Sequence, residues 1–540
     1  MPEFMNELTS LLCGNCHSLG ELSHGKKGCR RNVALPENCR SKIWTVRNME
    51  NQTGEQGELI LAAEECPDEL FNKLHYFSKY EERIIISLIA HGPVLIRGGR
   101  GSGKSALMRK AYLRILSGNS KVLGIYSSLR NLPLLRSEGA DYEKIFCDLL
   151  IANIRKELEK ENILSFFPSP NAGSVQQTLV ELSTLLGKRI VLFFDDAAHI
   201  GREASLKEFF DIFRTLSSVS ISCKAAIYPG VTQFGTRFDI FNDATVIDIS
   251  RDEGSQFFAS FFLEVIKLRY PDILDRERIA RTLREESLAE FLGRAVVGNM
   301  RSLIFLCNRI RLEDQRVGLK ELGKSLIYLS GDYYWPLLEE LSPKLGHYEP
   351  LIEVARNLAE KIFDFAKRKE TVSVVIHRDL VQKLLKPIEI LEYAGFVSRR
   401  EMSRAMKSGG RGSRFTLNLC NLLEITYGKR LTSERFQDWL KENGEPSEIH
   451  SSSDLLNVEI PDMMPDKELS ILSMKTDSLV KSKSYPYGLT QAEINVLRES
   501  GIHTIGELAE MQDDELLRLR GIGEKFLKRI RDVVGQAIWM

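Results

Sequence analysis

One octapeptide constrains this chain more than any other feature: Gly98-Gly99-Arg100-Gly101-Ser102-Gly103-Lys104-Ser105. It matches G-x-x-x-x-G-K-[ST] at every defined position. A short apolar run, Val94 to Arg97, precedes it, and helical spacing from Ala106 to Leu116 follows. Strand, glycine loop and helix in that order are what a phosphate-binding loop needs. Glycines let successive N–H groups turn inward, and the helix N-terminus adds a favourable dipole. Lys104 is expected to reach the outer phosphates of ATP, and Ser105 to ligate Mg²⁺.

A second segment fits the same chemistry. Ile190 to Phe194 is an apolar strand that ends in Asp195-Asp196. Such a buried strand delivers its first carboxylate, Asp195, to the metal, and Asp196 would orient an attacking water. Strand-like runs at Val94–Arg97, Lys121–Tyr126, Arg189–Phe194, Lys224–Tyr228 and Thr245–Ile249 alternate with helical ones, of which Tyr142–Lys160 is the longest. That alternation predicts an α/β fold with a parallel sheet covered on both faces. After Arg251 the pattern is almost wholly helical to about residue 370.

The order of these features resembles the AAA+ superfamily, and within it the initiator ATPases of the origin-recognition-complex type, over roughly Leu61 to Leu419. The resemblance implies further site residues. Lys224 to Thr232 occupies the place of the sensor-1 strand, making Thr232 the candidate sensor. Gly298-Asn299-Met300-Arg301 looks like sensor 2, with Arg301 approaching the γ-phosphate. Arg237 lies where such proteins carry an arginine finger that acts on a neighbouring subunit, so a homo-oligomer or partner subunits are expected. The family usually has Glu where this chain has Asp196. The shorter carboxylate implies slow hydrolysis, with ATP acting as a switch. An Asp-Asp pair also occurs in STAND-type signalling ATPases, which keeps a sensor of a protein trigger as an alternative. A transposon-type target-selection ATPase is another.

Two downstream segments point to double-stranded DNA. His377 to Tyr393 reads as two helices, and Phe396 to Leu417 as a hairpin with a Ser408-Gly409-Gly410 tip. Its positive residues are Arg399, Arg400, Arg404, Lys407, Arg411 and Arg414, against Glu401 alone, a bias that suits phosphate contact. The arrangement resembles a winged helix. Further on, Gly521-Ile522-Gly523 forms a tight turn that opens a helix carrying Lys525, Lys528 and Arg529. Such a turn aims helix amides at a phosphate without reading bases. Residues 488–540 resemble a helix-hairpin-helix unit, particularly the C-terminal domain of the bacterial RNA polymerase α subunit.

The expected organisation is a Cys-rich segment at 1–60, an ATP-binding core at 61–251, and a helical lid at 252–345. A winged helix at 346–442, a linker at 443–487 and the helix-hairpin-helix domain at 488–540 complete it. Cys13, Cys16, Cys29 and Cys39 form a candidate structural Zn²⁺ set, although their spacing departs from two close pairs and equally suits a thiol-bearing tail. Net charge is uninformative, since Lys plus Arg and Asp plus Glu both number 74 among 540 residues. No apolar run reaches the roughly 18 residues of a membrane span, and no signal peptide is visible, so a cytoplasmic location is expected.

Overall fold

The computed structural model describes residues 63, 66–118, 121–160, 166–197, 203–230, 234, 237–313, 316–441, 445–463, 469–481 and 488–539. Thr232 and the four N-terminal cysteines lie outside them.

The first layer is an α/β sandwich. Helices α1 (Asp68–Leu74) and α2 (Lys79–Ile89) precede β1 (Val94–Arg97), and α3 (Lys104–Gly118) follows it. Next come β2 (Val122–Ser128), α4 (Leu132–Arg136), α5 (Gly139–Lys160), α6 (Ala172–Leu186) and β3 (Arg189–Asp195). Helix α7 (Glu203–Leu216), β4 (Ile221–Ile227) and β5 (Thr245–Asp248) close the layer. The five strands run parallel in the order β2-β3-β4-β1-β5. The glycine loop follows directly after β1, which lies between β4 and β5.

The apolar strands explain the layering. Strand side chains alternate between faces, so Val191 and Phe193 join Ile84, Leu88, Leu107 and Met108 on one side. Ile190, Leu192 and Phe194 join Phe146, Phe209 and Phe213 on the other. With both faces covered, no position between Ile190 and Asp195 is left for a solvated residue. Lys224 is buried in the sheet itself and donates to the carbonyls of Ser87 (3.3 Å) and Ala90 (2.8 Å) at the end of α2.

A helical layer follows: α8 (Phe258–Arg269), α9 (Glu285–Ala295), α10 (Met300–Arg311), α11 (Leu319–Leu329), α12 (Trp335–Leu341) and α13 (Leu351–Arg368). Beyond it lie β6 (Ser373–His377), α14 (Arg378–Lys383), α15 (Leu385–Ala394), β7 (Val397–Ala405) and β8 (Arg411–Leu417). Pro387 sits in the first turn of α15, where its missing N–H costs nothing. Helices α16 (Leu419–Ile425) and α17 (Ser433–Lys441) precede β9 (Ser447–Ile449), and the second sheet has the order β7-β8-β6-β9. The sequence reading missed β6, which directly precedes α14, and β9, which lies in the stretch expected to be a linker. A single hydrophobic cluster runs from Phe262 and Leu292 through Leu358 to Leu391 and Phe415, so the lid and the helix–hairpin segment share one core.

The last unit comprises α18 (Gln491–Glu499), α19 (Ile505–Glu510), α20 (Asp513–Leu517) and α21 (Glu524–Trp539). The stretch expected to be a linker is packed in its described parts. Leu456 is buried in the lid core, and Leu469, Leu472 and Leu479 are buried with Leu497, Ile505 and Ile530 of the last unit. No helix among the described residues is long and apolar enough to cross a membrane.

Candidate functional site

The glycine loop lies where the sheet, lid and helix–hairpin segment meet. Gly101 has φ +80°, a left-handed conformation that only glycine adopts freely, and a Cβ there would lie 2.5 Å from Cβ of Arg301. The loop and lid are joined through the backbone: the amides of Met300 and Arg301 donate to the Gly101 carbonyl at 3.0 and 3.3 Å. Asn299 caps α10 by accepting from the Ser302 amide, and its Nδ2 donates to the Arg100 carbonyl. The lid therefore delivers Arg301 to the glycine loop through the first turn of a capped helix.

Lys104 is 7% exposed. Its Nζ donates to the carbonyls of Gly98 (2.7 Å) and Gly99 (3.1 Å) and lies 3.8 Å from the centre of the Tyr228 ring. At the end of β3, Asp195 is buried; it accepts from the Tyr126 hydroxyl and from the Asp196 amide at 3.0 Å. Asp196 takes φ +54° and pairs with Arg130, Nε to Oδ2 2.8 Å. Lys104, Ser105, Asp196, Arg130 and Arg301 line one cleft.

Three expected site features therefore converge: loop, second carboxylate and Arg301. Arg237 does not join them. It is exposed, and its backbone amide donates to Asp211 at 3.3 Å.

Two residues that the sequence reading passed over complete the cleft. Arg251 pairs with Glu81 at 3.1 Å and donates to the carbonyls of Ser102 (2.9 Å) and Gly298 (3.2 Å), tying α2, the loop and the lid together. Its position just after β5 was the available signal. Arg130 stands two residues beyond β2 with no motif around it.

The far end of the cleft is apolar and aromatic. His75, Tyr76, Phe77, Phe261, Val265 and Ile304 line it. His75 stacks on Phe71 with ring centres 4.2 Å apart, and burial lowers its pKa to about 4, with Arg269, Arg109 and Lys110 adding repulsion. It is neutral at physiological pH. A flat heteroaromatic base suits such a wall, and the phosphates would then extend toward Lys104.

The basic hairpin divides into an inward and an outward set. Arg400 is buried against Glu253 (2.8 Å) and donates to Ser250 (2.8 Å) and the Val297 carbonyl (3.3 Å). Arg399 pairs with Glu392 at 2.8 Å, and Arg414 lies 3.4 Å from Glu401 and 3.9 Å from Glu253. These three arginines are engaged within the protein, a placement that the run of positive charge did not reveal. Arg404 pairs with Glu401 (2.7 Å), Lys407 with Glu445, and Arg411 donates to Ser403. Of the two helices read between His377 and Tyr393, α14 exposes Arg378, Asp379, Gln382 and Lys383, whereas α15 is largely buried, and Lys386 at its start donates to the Gly230 carbonyl at 2.7 Å.

In the last unit the turn is open. Gly521 (φ +92°), Gly523, Lys525 and Lys528 are exposed at the start of α21. Arg529 is exposed too, but it donates to the Gly488 carbonyl (3.1 Å) and pairs with Glu493 (3.4 Å).

Comparison with known proteins bears on this last unit directly. Residues 488–536 match the family model of the C-terminal domain of the bacterial RNA polymerase alpha subunit. No curated protein matches by sequence. Among solved structures, the Aeropyrum pernix ORC1 protein in complex with DNA is 15% identical, with 70% of this protein and 95% of that one covered and a TM-score of 0.30. Domain III of the Thermotoga maritima replication initiation protein DnaA is 15% identical, with coverage of 48% and 96% and a TM-score of 0.27. Among the described residues no group of three or more His, Cys, Asp or Glu is placed to hold a metal ion.

Proposed function

We propose that this chain is an AAA+-type ATPase that uses ATP as a switch for engaging double-stranded DNA. The observation that carries the reading is the convergence of Lys104, Ser105, Asp196 and Arg301 on one cleft between sheet and lid. In this reading Lys104 leaves the Gly98 and Gly99 carbonyls for the outer phosphates, and Arg301 closes from the lid side.

The donor chemistry fits Mg²⁺. Ser105 stands in the first turn of α3, and the buried Asp195 carboxylate stands at the end of β3, both hard oxygen ligands. The ion would neutralise charge on the phosphates. Asp196 would orient the attacking water, while Arg301 offsets charge on the transferred phosphoryl group. Slow turnover is expected, because Asp196 is short and is held by Arg130. Arg237, being exposed, suits a role across a subunit interface, and Thr232 remains the sensor-1 candidate.

The DNA-facing surface is read as the turn at Gly521 and Gly523 with Lys525, Lys528 and Arg529, joined by Arg404, Lys407 and Arg411 of a winged helix. The supporting observation is that these side chains reach the protein surface while Arg399, Arg400 and Arg414 face inward. A STAND-like sensor is the second reading. It is favoured by the burial of α15 against the glycine loop, which suits a closed state opened by a trigger.

ATP binding and turnover with and without duplex DNA test the proposal, beside subunit mass. Lys104→Ala should abolish ATP binding; unaltered affinity in that variant would overturn the site. Assembly driven by a protein partner and indifferent to DNA would favour the second reading.

A further inference from the structure

His75 closes helix α1 twice. Its backbone amide donates to the Phe71 carbonyl at 3.1 Å, and its ring Nδ1 lies 2.9 Å from the same oxygen. The last carbonyls of a helix lack partners within it, and a ring donor at the end is a favourable cap. A carbonyl only accepts, so Nδ1 carries a proton. Burial keeps the imidazole neutral at physiological pH. A neutral imidazole has one ring proton, so the other nitrogen, Nε2, holds a bare lone pair. Nε2 makes no hydrogen bond among the described residues.

The ring is also held by stacking. Phe71 lies 4.2 Å away at 24°, and Phe77 6.3 Å away at 16°. Near-parallel stacking uses the flat of the imidazole, and the cap uses Nδ1. What remains for the cleft that His75 lines is the edge carrying Nε2.

The lid supplies the facing groups. Phe261, Val265 and Arg269 recur every four residues on α8, share one helical face, and all line the same cleft. The Tyr76 and Phe261 rings approach to 5.9 Å, so the two walls draw together at this end. It therefore offers a fixed acceptor from His75 and donors from Arg269. Adenine presents a donor, N6–H₂, beside an acceptor, N7, whereas guanine presents two acceptors, O6 and N7. Arg269 alone would suit guanine, and the two residues ask for different bases. A long guanidinium side chain can follow either base, but a capped and stacked imidazole cannot turn its lone pair aside.

We infer that His75 sets the base preference of the cleft, accepting the exocyclic amino group of adenine on Nε2. Guanine would bring its O6 lone pairs against that of Nε2. The inference rests on the reading of the cleft as a nucleotide site and adds the group that tells one purine from the other.

The test uses the full chain with Mg²⁺ and calorimetric titration of ATP, GTP and purine riboside triphosphate, which has the ring of adenine without its amino group. ATP should bind roughly five- to tenfold tighter than purine riboside triphosphate, the size of one lost hydrogen bond, and GTP should bind more weakly than ATP. His75→Phe keeps a flat stacking ring and removes the acceptor, so it should bind ATP and purine riboside triphosphate equally. A parent that binds those two equally or prefers GTP overturns the inference, as does His75→Phe with the parental ratio. Should His75→Phe fail to fold, as judged by its melting curve, nitrogen NMR of the parent decides. The His75 Nε2 signal should be that of an unprotonated nitrogen and should move with ATP but not with purine riboside triphosphate; a protonated Nε2 overturns the inference. Binding that needs Lys104 but shows no base preference sinks the role of His75 alone. Absence of binding for all three triphosphates sinks the nucleotide reading beneath it.

Discussion

The backbone amide of Arg100, in the middle of the glycine loop, donates to the carbonyl of Tyr393 in the last turn of α15 at 3.1 Å. Beside it, the Tyr393 ring meets the Tyr228 ring at 4.9 Å, and Tyr228 in turn lies under the Lys104 ammonium. A loop proposed to offer its N–H groups to phosphate therefore has one of them committed to a neighbouring helix. Changes in the loop and docking of the helix–hairpin segment must influence each other.

Gly99 measures that influence. A Cβ at this position would lie 2.7 Å from the carbonyl oxygen of Glu392, a backbone atom that cannot turn aside. Gly99→Ala should displace the end of α15 and cost about 1–3 kcal/mol of stability. Hydrogen exchange should quicken across residues 385–394 more than in the sheet. Equal protection in parent and variant would show that the helix is not seated on the loop.

Arg400 and Glu253 provide a second handle on the same docking. Removing one partner of a buried pair leaves the other charge uncompensated, typically at a cost of about 3–5 kcal/mol. Arg400→Ala should therefore lower thermal stability strongly, and a double-mutant cycle with Glu253→Ala should show large coupling. Burial alone would raise the Glu253 carboxyl, but Arg400, the Thr416 hydroxyl and Arg414 hold it below its usual value. This stabilisation is therefore fully present above the unfolded carboxyl value and is lost as pH falls through the lower folded one. The Glu253→Gln variant should show a correspondingly weaker loss in acid.

The two basic segments are separable by salt. Each phosphate that is no longer neutralised should lower the slope of log affinity against log salt by roughly 0.9. Lys525→Ala and Lys528→Ala should each flatten the slope for duplex DNA by about that amount. Arg400→Ala, checked for folding, should leave the slope unchanged because its guanidinium is spent on Glu253. A lowered slope in Arg400→Ala would return the inward face of the hairpin to the DNA surface.

His75 predicts a pH response of the aromatic end of the cleft. Its folded pKa of about 4 lies below the ordinary value of 6.5. Between those values the unfolded protein takes up a proton that the fold refuses, so stability declines as pH drops from about 6.5 toward 4. Calorimetry across that range should show a shallower decline for His75→Phe. Parallel profiles would place the ring in water.

Much of the proposed nucleotide cleft was legible in advance because its parts are local. Glycine spacing, the lysine after it and an apolar strand ending in carboxylates each occupy a few consecutive residues, and their chemistry dictates the residue types. Arg301 was legible through the likeness of Gly298 to Arg301 to a sensor-2 motif, whose four residues are consecutive at the start of one helix. Arg251 and Arg130 were not, since nothing adjacent in sequence distinguishes them from surface arginines. Their partners Glu81 and Asp196 lie far away in sequence and meet them only after the sheet forms.

The hairpin marks the same boundary. Its run of positive charge was visible, but the burial of Arg399, Arg400 and Arg414 depends on Glu392 and Glu253, which belong to other elements. By itself the sequence determined a glycine loop between strand and helix, a parallel sheet, a helical layer and a final unit with an open glycine turn. These follow from periodicity and backbone conformation, which neighbouring residues control. Tertiary structure alone decided which arginines are spent within the protein and that α15 closes on the loop. Those outcomes are set by long-range pairing, where a buried charge must find its counter-charge wherever the fold brings one.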